Sequence, residues 1–198
     1  MCSYARKAQI DRNTLETSVS VALDLDSSGD SHISTGCGFV NHMLELLAFH
    51  GRVGLKINAS GDTHVDYHHL TEDVGICMGQ ALREALGDRT GIARYGSATI
   101  PMDEALCLVA LDLGGRPFLH FNAVMPCEKV GDFDTELVEE FMRALSNNGG
   151  LTLHVDVLHG SNTHHIIECI FKALGRALRQ AAALDDAAVG IPSSKGLI

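Results

Sequence analysis

The segment HHLTEDVGICMGQALREAL (68–86) returns without gaps as HHIIECIFKALGRALRQAA (164–182). Identities fall at His68/His164, His69/His165, Glu72/Glu168, Gly79/Gly175, Ala81/Ala177, Leu82/Leu178, Arg83/Arg179 and Ala85/Ala181. Upstream, VNHMLELL (40–47) stands about as far before the first His pair as VEEFMRAL (138–145) does before the second, which sets His42 opposite Glu140. Leu55-Lys56-Ile57 likewise falls opposite Leu151-Thr152-Leu153. A chain written twice is read as two fused similar halves, 1–92 and 93–198.

Working outward, the stretches 39–49, 69–86, 133–146 and 165–183 carry apolar residues at three- and four-residue spacing, the pattern of amphipathic helices. Thr17–Leu25, Val53–Ala59 and Leu151–Val157 alternate apolar and polar residues as half-buried strands do. Thr99–Leu111 and Phe118–Ala123, separated by Gly114-Gly115-Arg116-Pro117, read as a hairpin. Strands and two helices per half predict an α+β fold in which helices pack on one face of a mostly antiparallel sheet. Strand order stays open at this point.

Composition narrows the function. The 198 residues carry a formal net charge of −10, against a nucleic-acid binder that works through a basic surface. Cys2, Cys37, Cys77, Cys107, Cys127 and Cys169 form no Cys-x-x-Cys pair, which points to reduced thiols rather than a zinc-thiolate or redox motif. The start MCSYARKAQI is polar and no apolar run reaches membrane-spanning length, so a soluble, cytoplasmic protein is expected, or a plastid one if a transit peptide has been removed.

Eleven histidines are many for this length. In each HHxxE motif the first His and the Glu, four residues apart, share one helix face. Adjacent histidines instead diverge by about 100° around a helix. Two His pairs, one per half, therefore favour two metal ions, with Glu72, Glu168, His42 and Glu140 filling further positions. Nitrogen and oxygen donors without thiolate suit Mn²⁺, Fe²⁺, Co²⁺ or Zn²⁺, and softness alone does not choose among them. A lone helix-start histidine is ordinarily solvated or hydrogen-bonded; a duplicated HHxxE means a metal or an acid–base site. His64 and Asp66 in GDTHVDYHH are placed to orient a ligand. His32, His50, His120, His154 and His159 lack such a setting. On these motifs alone a binuclear hydrolase, or a cage in which histidines merely staple subunits, remains an alternative.

TGCGFVNHMLELLAFHG (35–51), GDTHVDYHHLTEDVG (61–75), LHGSNTHHIIECIFKALGRALRQA (158–181) and the terminal IPSSKG (191–196) together resemble the imidazoleglycerol-phosphate dehydratase family, from about Arg12 to the C-terminus. The resemblance implies two fused halves of the ribosomal protein S5 domain 2-like type. It also implies a hollow 24-subunit homo-oligomer whose dimanganese sites are shared between chains, in an enzyme of histidine biosynthesis. Its motif positions assign His42, His68, His69, Glu72, His164, His165 and Glu168 to the metals, with Glu140 where other members carry histidine.

Glu16, in RNTLETSVSV, matches the family's acid–base glutamate, and Glu72 and Glu168 are counted with the catalytic groups as well as the ligands. Arg94, Arg116, Lys172, Ser193 and Lys195 match phosphate-binding positions, the last two in a C-terminal substrate-binding tail. The implied hydro-lyase takes D-erythro-imidazole-glycerol phosphate to imidazole-acetol phosphate. A metal-bound imidazolate and a diazafulvene-like intermediate would relay the electrons, because no carbonyl acidifies the C–H bond. Asn41, Leu46 and Tyr67 depart from the family pattern beside the site.

Overall fold

The computed structural model describes residues 5–27, 30–185 and 190–196. The first half runs β1 (Lys7–Asn13), β2 (Thr17–Asp24), β3 (His32–Ser34), α1 (Gly38–Gly51), β4 (Gly54–Gly61) and α2 (His68–Leu86). The same order then returns as β5 (Tyr95–Met102), β6 (Ala105–Asp112), β7 (Phe118–Asn122), a small hairpin of β8 (Lys129–Val130) and β9 (Phe133–Asp134), α3 (Leu137–Gly149), β10 (Thr152–His159) and α4 (Thr163–Ala182).

The two sheets share one topology, β1-β2-β4-β3 and β5-β6-β10-β7. In each, the last strand named joins parallel and the other pairs are antiparallel. The ladders refine the internal match: His32 pairs with Lys56 as His120 pairs with His154, so Leu55 takes the place of Leu153 rather than of Leu151. β2 buries Thr17, Val19, Val21 and Leu23, and β6 buries Ala105, Cys107, Val109 and Leu111; period two turns one sheet face to the helices.

Two expectations need correction. Thr99–Leu111 and Phe118–Ala123 are not the arms of one hairpin. The chain already turns at Asp103-Glu104, between β5 and β6, while β7 pairs with β10. Two strands of like composition joined by a two-residue turn had read as one long run. The third helix begins at Leu137 rather than 133, because Phe133 and Asp134 pair with Val130 and Lys129. β1 was missed because KAQIDRN alternates only weakly, with Ala8 and Ile10 as its two apolar inward residues and none fully buried.

Helices of opposite halves cross: α1 lies on α4 and α2 on α3, while α2 covers β1 and β2 and α4 covers β5 and β6. A single hydrophobic cluster runs through both halves. The crossings are tight and matched. A Cβ on Gly79 would sit 2.7 Å from the Leu145 carbonyl and the Gly149 nitrogen, and one on Gly175 2.5 Å from the Leu47 carbonyl and 2.9 Å from the Gly51 nitrogen. Only glycine lets these backbones approach so closely.

Candidate metal centre

At the start of α4 the Asn162 side chain caps the helix, accepting the backbone N–H of His164 (2.9 Å) and His165 (3.3 Å). One turn on, Glu168 Oε1 lies 3.2 Å from His164 Nε2. The crossing helix α1 brings His42 Nε2 to 2.7 Å from the same oxygen, and Lys172 Nζ donates to Oε2 at 2.6 Å. The side chain of Glu168 is only 9% exposed. Burial works against its charge, but the hydrogen bonds from Lys172, His42 and His164 outweigh that and hold its pKa down to about 2. The donor atoms of His42, His164 and Glu168 lie within 4.8 Å of one another, close enough to share one ion.

The adjacent histidine turns elsewhere, its ring 6.4 Å from that of His164 at 82°, and its Nδ1 lies 2.8 Å from Glu104 Oε2. The first pair diverges alike, with 6.0 Å and 79° between His68 and His69. His69 Nδ1 meets Asp62 Oδ2 at 2.9 Å and Glu16 Oε2 at 3.7 Å, and these three form a second candidate ligand group. The bond to Asp62 raises the pKa of His69 and lowers that of Asp62.

His68, Glu72 and Glu140 do not gather into a comparable group among the described residues. At the position where α1 carries His42, α3 carries a second carboxylate, Glu140, and like charges repel rather than pair. Asp66 accepts the backbone N–H of His68 at 2.7 Å and serves the helix start. His64 lies exposed in the same loop.

The expected phosphate residues divide. Arg94 forms two bonds to Asp112, 2.7 and 3.0 Å, and donates to the Pro192 carbonyl at 2.9 Å, which places it beside the Ser193 and Lys195 segment. It also packs on Gly114, two residues before the exposed Arg116. Lys172 stands apart at Glu168. Arg94 N–H reaches the Ala181 carbonyl, nine residues along α4 from Lys172, which is about 13 Å of helix.

Asp62 and Glu104 are the site residues that motif reading missed. Asp62 had a signal, lying in the same GDTHVDYHH segment as the histidines; Glu104 had none locally. The departures are explained in part. Asn41 Oδ1 accepts both the N–H and the hydroxyl of Thr35, at 2.9 and 2.7 Å, a structural task. Tyr67 donates its hydroxyl to Asp132 at 2.9 Å, and Leu46 lines a groove with His42.

A duplicated α+β frame with histidine–carboxylate clusters at helix starts defines a class of metal-site protein. Comparison with known proteins makes the assignment particular. The sequence profile of the imidazoleglycerol-phosphate dehydratase family matches residues 35–178. The imidazoleglycerol-phosphate dehydratase of Acetivibrio thermocellus is 55% identical over 193 residues, 98% of this chain and 99% of that protein. The crystal structure of the Staphylococcus aureus enzyme superposes with a TM-score of 0.83 at 49% identity, covering 90% of this chain and 99% of that one. That of the Pyrococcus furiosus enzyme in complex with (S)-C348 gives 0.83 at 35%, covering 96% and 100%. The chain belongs to the imidazoleglycerol-phosphate dehydratase family, hydro-lyases of histidine biosynthesis. No helix among the described residues is long and apolar enough to cross a membrane.

Proposed function

We propose that the chain converts D-erythro-imidazole-glycerol phosphate to imidazole-acetol phosphate as a manganese-dependent dehydratase with two ions per active site. The observation that carries this reading is the cluster of His42, His164 and Glu168, drawn from both halves and held ready for a cation. Its donor set of imidazole and ionised carboxylate without thiolate fits Mn²⁺. His68, His69, Glu72, Glu140 and His165 would complete the two metal positions. Bound there, two Mn²⁺ ions would supply Lewis acidity toward the substrate's ring.

The chain's own groups do the rest. In the reaction one side-chain carbon loses its hydroxyl and its neighbour loses a proton. The C–H pair becomes the new double bond of an enol, which tautomerises to the ketone. Glu16, 56% exposed and 3.7 Å from His69, is free to take the proton. Glu168 is held ionised and stays a ligand. Arg94, Arg116, Ser193 and Lys195 hold the phosphate from one end, and Lys172 from the other.

The separation of Lys172 from Arg94 within one chain supports a site shared between neighbours, as in a 24-subunit cytoplasmic particle. The functional division into 1–92 and 93–198, the latter with its substrate-binding tail, follows the repeat. The test is turnover after chelation and Mn²⁺ titration. Acetol phosphate that disappears with stripping and returns at about two ions per chain supports the reading; full turnover by metal-free protein refutes it.

A further inference from the structure

We propose that Glu104 is a positioning residue that fixes His165 for metal binding, and that it is the second-half counterpart of Glu16. The β1–β2 ladder pairs Lys7 with Asp24, and the β5–β6 ladder pairs Tyr95 with Asp112. Laying these ends together sets Thr14 on Met102 and Thr17 on Ala105. Thr14 N–H does reach the Thr17 carbonyl at 2.9 Å, as the pairing of Met102 with Ala105 requires. Glu16 then falls on Glu104, each the last residue of its turn.

The two glutamates have opposite surroundings. Glu104 is held at both oxygens: Oε2 by His165 Nδ1 at 2.8 Å, Oε1 by the backbone N–H of Asn162 at 2.7 Å and of Ser161 at 3.1 Å. Asn162 is itself the cap of α4, so one carboxylate joins the β5–β6 turn, the helix start and the imidazole. A ring that donates Nδ1–H keeps its Nε2 lone pair for a metal. Among the described residues no hydrogen bond is made to that Nε2, and the nearest carboxylate recorded at it, Asp103, stands 3.9 Å away.

In the first half Asp62 satisfies His69 Nδ1 at 2.9 Å, which leaves Glu16 at 3.7 Å. The matching loop before α4, 158–162, reads LHGSN and contains no carboxylate. One acid must therefore serve His165, and it is Glu104. Duplication has divided a single ancestral position into a proton carrier, Glu16, and a holder of a ligand, Glu104.

This inference rests on the reading of His165 as a ligand, and the test separates the two. Mn²⁺ affinity would be measured from the paramagnetic resonance signal of free aqueous Mn²⁺, beside the thermal midpoint of metal-free protein, for His165→Ala, Glu104→Gln and Glu16→Gln. Glutamine at 104 keeps an oxygen for Ser161 and Asn162 but turns an NH₂ toward Nδ1, which moves the ring proton to Nε2. The expected result is about 10- to 100-fold weaker Mn²⁺ binding in Glu104→Gln, beyond the modest drop in its metal-free midpoint that loss of the carboxylate's charge brings. Glu16→Gln, where Asp62 rather than position 16 holds the imidazole of His69, should weaken Mn²⁺ binding less than Glu104→Gln does.

Should His165→Ala bind Mn²⁺ as the parent does, the ligand reading fails. If that variant loses an ion while Glu104→Gln binds normally, the positioning role fails. A lowered metal-free midpoint with unchanged affinity in Glu104→Gln would reduce the residue to a structural one, and equal losses in the Glu16 and Glu104 variants would overturn the division of labour.

Discussion

The start of α4 and the start of α2 carry the same HHxxE letters on the same frame, yet only the former closes on itself. Glu168 receives His42, His164 and Lys172. Glu72, its counterpart, has Glu140 at the position that matches His42 and Ile76 at the position that matches Lys172. A motif therefore fixes which residues can meet; the charge of the crossing helix decides whether they do so before an ion arrives. In the second half the HHxxE carboxylate is itself gathered with imidazoles, whereas in the first half the gathered group is His69 with Asp62 and Glu16.

The sameness of the frames can be broken first. Gly79→Ala and Gly175→Ala each drive a methyl into backbone at a helix crossing, and each should cost about 3 kcal/mol in chemical unfolding. Clearly unequal costs would mean that the crossings are not equivalent. The difference in charge is sharpened next: Glu168→Gln should cost metal-free protein about 2 kcal/mol, since Lys172 loses its buried partner. Glu72→Gln should stay within about 0.5 kcal/mol.

Acid separates the halves as well. A carboxylate whose folded pKa is depressed stabilises above its unfolded value and loses that contribution as pH falls through the folded one. Glu168 should therefore lose its contribution between about pH 4.5 and about pH 2, so the loss of metal-free stability over that window should be smaller in Glu168→Gln than in the parent. Glu104, also near 2, titrates over the same window and remains in the variant as an internal control. The mildest change is Glu140→His, which gives the first half the composition of the second; Mn²⁺ affinity should rise about tenfold, read by the same resonance titration. Unchanged affinity would place Glu140 outside the metal's reach.

Much of this was legible in the letters. Helix and strand periods located all four helices and the buried strands, because burial on one face writes a period into the chain. The gapless repeat also exposed the two halves, and His164 and Glu168 meet as their four-residue spacing requires, while His42 reaches them from the crossing helix α1. What the letters hid was relational. β1 is an edge strand whose apolar stripe is only Ala8 and Ile10, and the turn at Asp103-Glu104 contains no glycine or proline to mark it. Glu104 lies 61 residues from the imidazole it holds, so only the hairpin's register could bring the two together.

The crossing of helices between halves has a consequence for ancestry. Each half lends one helix to the other's sheet-bound helix, in exchange. A half-length polypeptide of this design would leave both crossing faces bare and its histidines without their opposite helix. It would be finished only against a twin, by an isologous contact that satisfies two surfaces at once. Fusion of two such copies would free each to change alone, which is the liberty that Glu16 and Glu104, and likewise His42 and Glu140, have used.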